Sequence, residues 1–345
     1  MTEKLSSRGL RRSEMTSTAA ITPEIINYLA DGVSLAMAML AGMKLDIFTP
    51  LNNGLLTTEE IAVEIGVRPR RLGPLLNALV GANLLTVDND RFSNSDEAAR
   101  FLVKCAPDYL GSRHQRDAMK WSSLLKTADS ITSDSPQARL DYSTMSPEEL
   151  ESFYSGGYAA ALAAGQELAE RYDFSGYQRL VDVAGGSGGV AIGISVACPS
   201  IHATVVELPG TVPFTRDYVE AAGASLKVEA TPGNVVEGPL PGSYDVAVMK
   251  SIIQVLSPDD ARKALSHVNK SLVPGGALFI MGVVLDDSRL SPPYAVSTNL
   301  TFLNVYDEGR AYTESEYRDW LDEVGFVFLE RVVTPNGTSI IKARK

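Results

Sequence analysis

Apolar residues recur along the chain with two different periods, and the change of period divides the sequence. Over 23–44 they follow a helical spacing and occupy more than one face, so this helix needs partners on several sides, which a second copy of the chain would supply. A short helix over 61–65, a second helix over 68–82 and a hairpin over 84–93 follow. This order of elements predicts a winged helix.

The middle of the chain carries no regular alternation. Residues 105–150 are expected to be helical with breaks, and the Ser-, Thr- and Pro-rich stretch 129–147 predicts a loop over a site. Residues 147–171 are rich in alanine and predict one long helix.

From residue 176 onward the pattern alternates between strands and helices. Strands are predicted near 180–183, 203–207, 226–229, 245–249, 277–284, 326–333 and 338–342. Such alternation is typical of an α/β fold with a Rossmann-like, doubly wound and mostly parallel sheet. We therefore expect four parts: a disordered tail (1–20), a winged-helix domain (21–105), a helical linker and lid (106–175) and the α/β domain (176–345).

Composition narrows the class of protein. The chain has 345 residues and a formal net charge of −11, so it lacks the basic surface typical of nucleic-acid binding. The arginines of the second helix, Arg68, Arg70 and Arg71, lie among acidic neighbours. We see neither a continuous apolar run of membrane-spanning length nor the apolar core of a signal peptide. We expect a cytoplasmic protein that binds neither nucleic acid nor membrane.

The most informative stretch is an apolar strand that contains one acid, Asp182. Glycines follow at 185, 186, 188 and 189, and helical composition resumes after them. Strand, glycine-rich turn and helix form the first unit of a nucleotide-binding domain, because glycines allow a sharp turn and a close backbone approach to a ligand. The next strand ends in Glu207, 19 residues after Gly188, a spacing at which a carboxylate accepts hydrogen bonds from ribose hydroxyls. An adenosine-type cofactor is therefore expected.

A series of motifs decides between cofactors. Alone, residues 186–191 match a dinucleotide fingerprint, which is a weak signal. The ordered series of residues 182–188, Glu207-Leu208-Pro209, Met249-Lys250 and residues 272–277 resembles the class I S-adenosylmethionine-dependent small-molecule O-methyltransferase family, which has an N-terminal dimerisation domain. The resemblance spans roughly residues 25–345. It implies S-adenosyl-L-methionine as cofactor, a small-molecule acceptor and a homodimer formed through the winged helix.

The resemblance also implies which residues contact the cofactor. Gly185, Gly186, Gly188 and Lys250 belong to the methionine end, Glu207 to the ribose, and Asn234 and Val235 to the adenine, and Asp182 and Leu208 also contact the cofactor. Two positions depart from the family pattern, because Ala184 replaces a glycine and Asn234 replaces an aspartate.

A further departure concerns the general base of the family. The family reads Leu-Lys-x-Ile-Leu-His-Asp-Trp where this chain has residues 249–256, and the slot of the histidine holds Gln254. The acid that orients the family histidine falls near Asn299, which is also an amide. An amide does not accept a proton at neutral pH, so base and orienting acid are absent together. A changed chemistry explains both replacements at once.

The missing base restricts the acceptor. A hydroxyl must lose its proton, for which a positioned base contributes roughly 10²–10⁴-fold, whereas a thioether has no proton to lose and needs only alignment and exclusion of water. The favoured hypothesis is therefore base-independent S-methylation of a thioether acid. The pattern resembles the methylthiohydroxybutyrate S-methyltransferases of dimethylsulfoniopropionate synthesis, with 4-methylthio-2-hydroxybutyrate as acceptor.

Candidates for contact with the acceptor are polar or aromatic side chains of the middle segment together with the two amides: Arg113, His114, Gln115, Trp121, Tyr142, Tyr154, Tyr158, Gln254 and Asn299. Two alternatives stay open. Either His114 or a tyrosine such as Tyr142 is the base for O-methylation of a small hydroxylated metabolite, or the chain is a catalytically silent cofactor-binding protein. No cluster of His, Cys and acidic residues has metal-ligand spacing, so no metal is expected.

Overall fold

The computed structural model describes residues 21–104, 106–110, 113–142 and 144–345, without the side chains of Arg113 and Gln115. The predicted tail (1–20) lies outside the described residues, so its disorder stays a prediction.

Helix α1 (Glu24–Leu45) presents an apolar surface that the rest of the chain leaves uncovered. By length and composition it is able to span a membrane, although only 11% of its most apolar window is buried within the chain. The sequence expectation considered only unbroken apolar runs, so it did not register this helix, in which Asp31 and small residues interrupt the apolar positions. A helix of this kind is weak evidence for a membrane, since core helices and signal sequences have the same composition.

The winged helix consists of α2 (Thr58–Glu64), α3 (Leu72–Gly81) and a hairpin of β1 (Leu85–Asp88) with β2 (Arg91–Asn94). Thr57 and Glu60 form a capping box at the start of α2. The second helix begins at Leu72 rather than at the predicted Arg68, because Pro69 opens a separate 3₁₀ turn. The apolar faces of these elements pack into one core with α1.

The middle segment contains α4 (Asp96–Phe101), α5 (Arg113–Leu124), α6 (Thr127–Ser133) and α7 (Pro147–Arg171). Helix α7 coincides with its prediction and starts with a capping box between Ser146 and Glu149. The loop predicted over 129–147 is partly wrong, since α6 extends to Ser133. The Ser130 hydroxyl in α6 donates to Asn304 Oδ1 at 2.8 Å, a contact between residues 174 positions apart that local composition does not reveal.

The α/β domain contains nine strands and five helices. In chain order these are β3 (Arg179–Val183), α8 (Gly189–Ala197), β4 (His202–Glu207), α9 (Val212–Ala221), β5 (Val228–Pro232), β6 (Tyr244–Lys250), α10 (Pro258–Ser271), β7 (Leu272–Gly282), β8 (Val284–Leu285), α11 (Pro293–Val305), β9 (Tyr312–Thr313), α12 (Glu314–Glu323), β10 (Val327–Val333) and β11 (Ser339–Arg344). Strands β8 and β9 form a small parallel pair beside the main sheet.

The main sheet has the order β10-β11-β7-β6-β3-β4-β5. Its strands from β5 to β7 are parallel, and β11 runs antiparallel to both of its neighbours. This confirms the predicted doubly wound, mostly parallel sheet. The chain order reverses between β3 and β6, and open α/β sheets bind ligands outside the carboxyl ends of the strands at such a point.

Helix α7 packs against α8 with almost no side chains between the two backbones. A Cβ on Gly193 of α8 would lie 2.5 Å from the carbonyl oxygen of Leu162, and one on Gly189 would lie 2.8 Å from Ala161 Cβ. From the other side, a Cβ on Gly165 of α7 would meet the carbonyl oxygen of Val190. The three glycines therefore hold the linker helix on the helix that follows the glycine-rich turn.

Candidate active site

The glycine-rich turn after β3 is folded so tightly that side chains have no room. A Cβ on Gly185 would lie 2.6 Å from Asp182 Cγ, and one on Gly186 would lie 2.7 Å from Tyr154 Cε1. Gly186 and Gly188 have φ values of +56° and +73°, which are strained for residues with side chains. The turn thus leaves a concave backbone surface at the carboxyl ends of β3 and β4.

Ala184 adopts the left-handed conformation that glycine prefers, with φ +53°, and its N–H donates to Val206 O at 2.8 Å. We expect Ala184→Gly to raise the free energy of unfolding by about 1 kcal/mol, because a non-glycine residue in this region carries roughly 1–3 kcal/mol of strain and glycine itself costs about 0.5–1 kcal/mol in entropy. Chemical denaturation measures the change. A loss of stability in this variant contradicts the strain argument.

Glu207 at the end of β4 is buried and binds the turn through its carboxylate. Its Oε1 accepts from the Gly186 N–H at 3.0 Å, and its Oε2 accepts from the Leu208 N–H at 2.6 Å. Burial raises the pKa of Glu207, and the two N–H donors oppose this shift. Thr215 of α9 supports the same turn, because its hydroxyl donates to Gly186 O at 2.6 Å. Sequence reasoning missed Thr215, since nothing local marks it.

Asp182 is fully buried beneath the turn. Its Oδ2 accepts from the Ala191 N–H at 3.2 Å, whereas its Oδ1 has no partner among the described residues. Burial raises the pKa of Asp182 to about 7, with partial compensation by the charge of Lys250. Because an unsatisfied buried acceptor is costly, this oxygen indicates a place for a donor on a ligand.

Lys250 lies at the carboxyl end of β6, where its charge and that of Asp182 influence each other. Burial lowers the pKa of Lys250, and the charge of Arg116 on α5 lowers it further. Arg116 was not among the sequence candidates, although it lies in the same helix as several of them. Neither cation has an ion-pair partner among the described residues.

The predicted adenine segment forms a tight turn after β5. Asn234 Oδ1 accepts from the Val236 N–H at 3.0 Å, and Asn234 Nδ2 donates to Glu237 Oε1 at 2.9 Å. Val235 is buried in the core on one face of the sheet. The side chain of Asn234 therefore shapes its own turn, and its contact with adenine stays a prediction.

The two amides that replace the family base and acid both bind backbone N–H groups. Gln254 lies in a 3₁₀ turn (Ile253–Val255) and is 8% exposed. Its Oε1 accepts from the Val283 N–H at 3.0 Å, and Asn299 Oδ1 accepts from the Ala311 N–H at 2.8 Å. Neither side chain can take a proton from an acceptor at neutral pH.

Aromatic side chains gather beside the turn. The hydroxyl groups of Tyr142 and Tyr306 are hydrogen-bonded at 2.9 Å, and the ring of Tyr142 meets Phe153 edge-on at 5.3 Å. Burial raises the pKa of Tyr142 far above its usual value and that of Tyr154 to about 12. These phenols are protonated at neutral pH, so they are hydrogen-bond donors there rather than bases. Tyr306 was missed, since the pattern around it is that of an ordinary helix end.

A cavity of about 570 Å³ lies close to the hydrogen-bonded pair Tyr142 and Tyr306, because Asp141 and Val305, which precede them in the chain, are among its lining residues. It is lined by residues of α5, by the segment before α7 and by the end of α11, among them Met119, Ser123, Leu140, Asp141, Met145 and Val305. Its volume lies in the range of small-molecule sites.

His114 lies on the side of α5 that faces the winged-helix domain. Burial lowers the pKa of His114, and the charges of Lys104 and Lys44 lower it further. Arg116, two residues on, is the residue of α5 that affects Lys250, and positions two apart point to opposite sides of a helix. The geometry therefore does not bring His114 to the glycine-rich turn, and its role as base stays a prediction.

The remaining candidates are dispersed. The ring of Tyr158 lies 4.9 Å from that of Tyr218 and packs on the core of the α/β domain, which accounts for it structurally. Trp121 is half-buried on α5, and the side chains of Arg113 and Gln115 lie outside the described residues. Within the part of the chain that the structure describes, no three His, Cys, Asp or Glu side chains are grouped as metal ligands.

Known proteins resemble the chain over nearly its whole length. The family model of the O-methyltransferase domain matches residues 135–327, and that of the O-methyltransferase dimerisation domain matches residues 28–104. The chain is 27% identical over 330 residues to 3-hydroxy-5-methyl-1-naphthoate 3-O-methyltransferase of Streptomyces sahachiroi, covering 94% of this chain and 95% of that protein. It is also 27% identical over 301 residues to N,N-dimethyltransferase OxyT of Streptomyces rimosus, covering 84% and 87%.

A solved structure extends the likeness to the fold. PigF, an S-adenosyl-L-methionine-dependent methyl transferase of a Serratia species, is 23% identical over 301 residues, covering 84% of this chain and 86% of that protein. The structure of PigF with SAH superposes on this chain with a TM-score of 0.79, at 22% identity, over 94% of this chain and 100% of that chain.

Proposed function

The chain belongs to the O-methyltransferase family and is an S-adenosyl-L-methionine-dependent methyltransferase, and from this premise we propose that it methylates a small molecule without a base of its own. One observation carries the proposal. The family's histidine slot holds Gln254, whose only side-chain acceptor atom already binds the Val283 N–H at 3.0 Å. At this position, therefore, no ionisable side chain can take the proton of a hydroxyl acceptor.

The residues around the glycine-rich turn fit the cofactor. The unpartnered Oδ1 of Asp182 offers an acceptor for its ammonium group, and Gly185 and Gly186 leave the space that a Cβ would fill. Glu207 would hold the ribose hydroxyls, and Lys250 would face the carboxylate. When bound, S-adenosyl-L-methionine supplies a methyl group already activated by its sulfonium.

The acceptor is then a nucleophile with a free electron pair at neutral pH. A thioether acid such as 4-methylthio-2-hydroxybutyrate is the first candidate, because methylation of sulfur releases no proton. The second candidate is an oxygen that is ionised without assistance, favoured by the positive charge of Arg116, which has no ion-pair partner among the described residues. The named activities of the relatives include methylation at oxygen and at nitrogen, so the fold itself does not select the atom.

A homodimer accounts for the uncovered surface of α1. Ile25, Ile26 and Leu29 are 75%, 71% and 65% exposed, and the matched dimerisation domain includes most of this helix. A second copy would bury these side chains, as expected for the large apolar interfaces of obligate dimers. A membrane contact of α1 and a location other than the cytoplasm are the alternatives, and neither has support beyond the composition of the helix.

Methyl transfer across pH tests the base-free mechanism. With labelled S-adenosyl-L-methionine, we expect turnover of 4-methylthio-2-hydroxybutyrate at a rate that changes little between about pH 6.5 and 8.5, because sulfur has no proton to lose in that range. The comparison acceptors are phenols, which ionise only at higher pH.

A histidine base would give a different profile. Since burial lowers the pKa of His114 from its usual value of 6.5, a reaction that uses this histidine as base would slow as the pH falls below that value and level off above it. Turnover of phenols with this profile, lost in His114→Ala, would refute the base-free mechanism.

A further inference from the structure

The carboxamide of Gln254 is anchored at one end and open at the other. Its Oε1 accepts from the buried Val283 N–H at 3.0 Å, which fixes the plane and the direction of the amide. The Nε2 group on the other side makes no hydrogen bond to any described residue, and it does not belong to the buried polar atoms without partners. Two N–H donors therefore point into space that a ligand or solvent can reach.

The backbone around Gln254 is shaped for this orientation. A Cβ on Gly282 would lie 2.6 Å from Gln254 Oε1, and a Cβ on Gly309 would lie 2.6 Å from Gln254 O. Ser251, just before the turn, has φ +63° and donates its N–H to Met281 O at 2.7 Å. Rotating the amide by half a turn would bring Nε2 against the Val283 N–H, donor against donor, which costs a hydrogen bond. The carbonyl-in, amine-out arrangement is thus the stable one.

The charges near this end of β6 have the sign that attracts an anion. Lys250 lies four residues before Gln254, and Arg116 lies close enough to lower its pKa. Of the nearby carboxylates, Glu207 accepts from the Gly186 N–H of the glycine-rich turn, and Asp182 accepts through Oδ2 from the Ala191 N–H of α8. Beside Gln254, an oxygen with negative charge would therefore find the Nε2 donors and positively charged surroundings.

We propose that Gln254 determines specificity by donating from Nε2 to an oxyanion or carbonyl oxygen of the methyl acceptor. The acceptor class is then a molecule that carries a carboxylate or an ionised enol beside the atom to be methylated. The proposal rests on the proposed function, in which the position of Gln254 faces the methyl acceptor. It adds which chemical group of the acceptor Gln254 recognises. Gln254 holds the acceptor and takes no proton.

Equilibrium binding to the protein saturated with SAH, the cofactor without its transferable methyl group, tests the proposal in the absence of turnover. Two pairs of probes differ only by a carboxylate: 4-methylthio-2-hydroxybutyrate with 3-methylthiopropan-1-ol, and 3-hydroxy-2-naphthoate with 2-naphthol. In calorimetric titration we expect the carboxylate member of at least one pair to bind 10-fold or more tightly than its neutral partner. Hydrogen bonds to charged groups are strong enough for a difference of roughly 10- to 100-fold.

Two variants assign this preference to Gln254. Gln254→Glu keeps an oxygen for the Val283 N–H and replaces the donors with an oxyanion, so the preference is expected to vanish. Gln254→Met removes the donors without adding charge and should reduce the preference about 10-fold. Gln166→Glu, on the exposed side of α7, adds the same charge elsewhere and should retain it. Affinity for SAH should be unchanged in all three.

The outcomes separate this proposal from base-free transfer. A preference for the carboxylate probes that disappears with Gln254 supports the proposal even if methyl transfer turns out to use a base. A wild-type protein that does not discriminate within either pair overturns it. So does a preference that persists in both Gln254→Glu and Gln254→Met, since the amide would then serve only the Val283 N–H.

Discussion

Replacing Glu207 with glutamine is expected to weaken the binding of S-adenosyl-L-methionine by about 100-fold. The carboxylate accepts from two backbone N–H groups, Gly186 and Leu208, and its remaining lone pairs are the proposed acceptors for the ribose. Glutamine has one acceptor oxygen, so its amine would meet an N–H donor of the turn. Hydrogen bonds to charged groups contribute roughly 1.5–3 kcal/mol each, and about 3 kcal/mol corresponds to the expected loss.

Isothermal titration with S-adenosyl-L-methionine measures the effect of the Glu207 variant. Glu229→Gln on the neighbouring strand is the matched control, because its carboxylate accepts from Thr204 on an exposed surface. The control should change the affinity less than twofold. In the wild type, the raised pKa of Glu207 implies that affinity falls with decreasing pH earlier than for an ordinary glutamate, since protonation removes an acceptor. An unchanged affinity in Glu207→Gln would remove this residue from the cofactor site.

Replacing Arg331 with methionine is expected to lower the free energy of unfolding by about 3 kcal/mol. The side chain of Arg331 is 4% exposed and pairs with Asp286 at 2.7 Å and with Glu314 at 3.2 Å. It also donates to Val284 O at 2.9 Å and to the Ser339 hydroxyl at 3.0 Å. Breaking a buried pair costs roughly 3–5 kcal/mol, and we expect the lower end because both acids are partly exposed.

Urea denaturation measures the cost, with Arg179→Met as the control. Arg179 pairs with Asp245 at 3.7 Å on an exposed surface, and such pairs are worth roughly 0–1 kcal/mol. Equal effects of the two substitutions would contradict the structural role of Arg331. Because Val284 follows the residue that anchors Gln254, we also expect the Arg331 variant to weaken acceptor binding more than cofactor binding.

The sequence predicts well whatever depends on local pattern. The seven strands of the main sheet and helix α7 follow from hydrophobic period and capping signals, and their residues need no distant partner to be recognised. The glycine-rich turn is equally predictable from the sequence, because a Cβ at Gly185 or Gly186 would clash with neighbouring atoms and glycine is therefore required there. Family resemblance adds the identity of the cofactor, which no spacing alone decides.

What the sequence does not predict depends on direction and on distant contacts. The side of α5 that faces Lys250 carries Arg116 rather than His114, and only the packing of that helix determines which. The pair Tyr142–Tyr306 joins residues 164 positions apart, and the anchor of Gln254 is the N–H of Val283, 29 positions on. Such partners are set by the tertiary fold and leave no periodic signal.

The glycine contact between α7 and α8 bears on how the enzyme opens. Backbones that touch through Gly165, Gly189 and Gly193 leave no layer of side chains that could slide, so shear between these helices is disfavoured. The linker helix and the glycine-rich turn would then move as one rigid body, and Tyr154 would keep its position over Gly186 during that motion. A hinge that admits the cofactor or releases product would then lie outside the unit formed by α7, α8 and the glycine-rich turn.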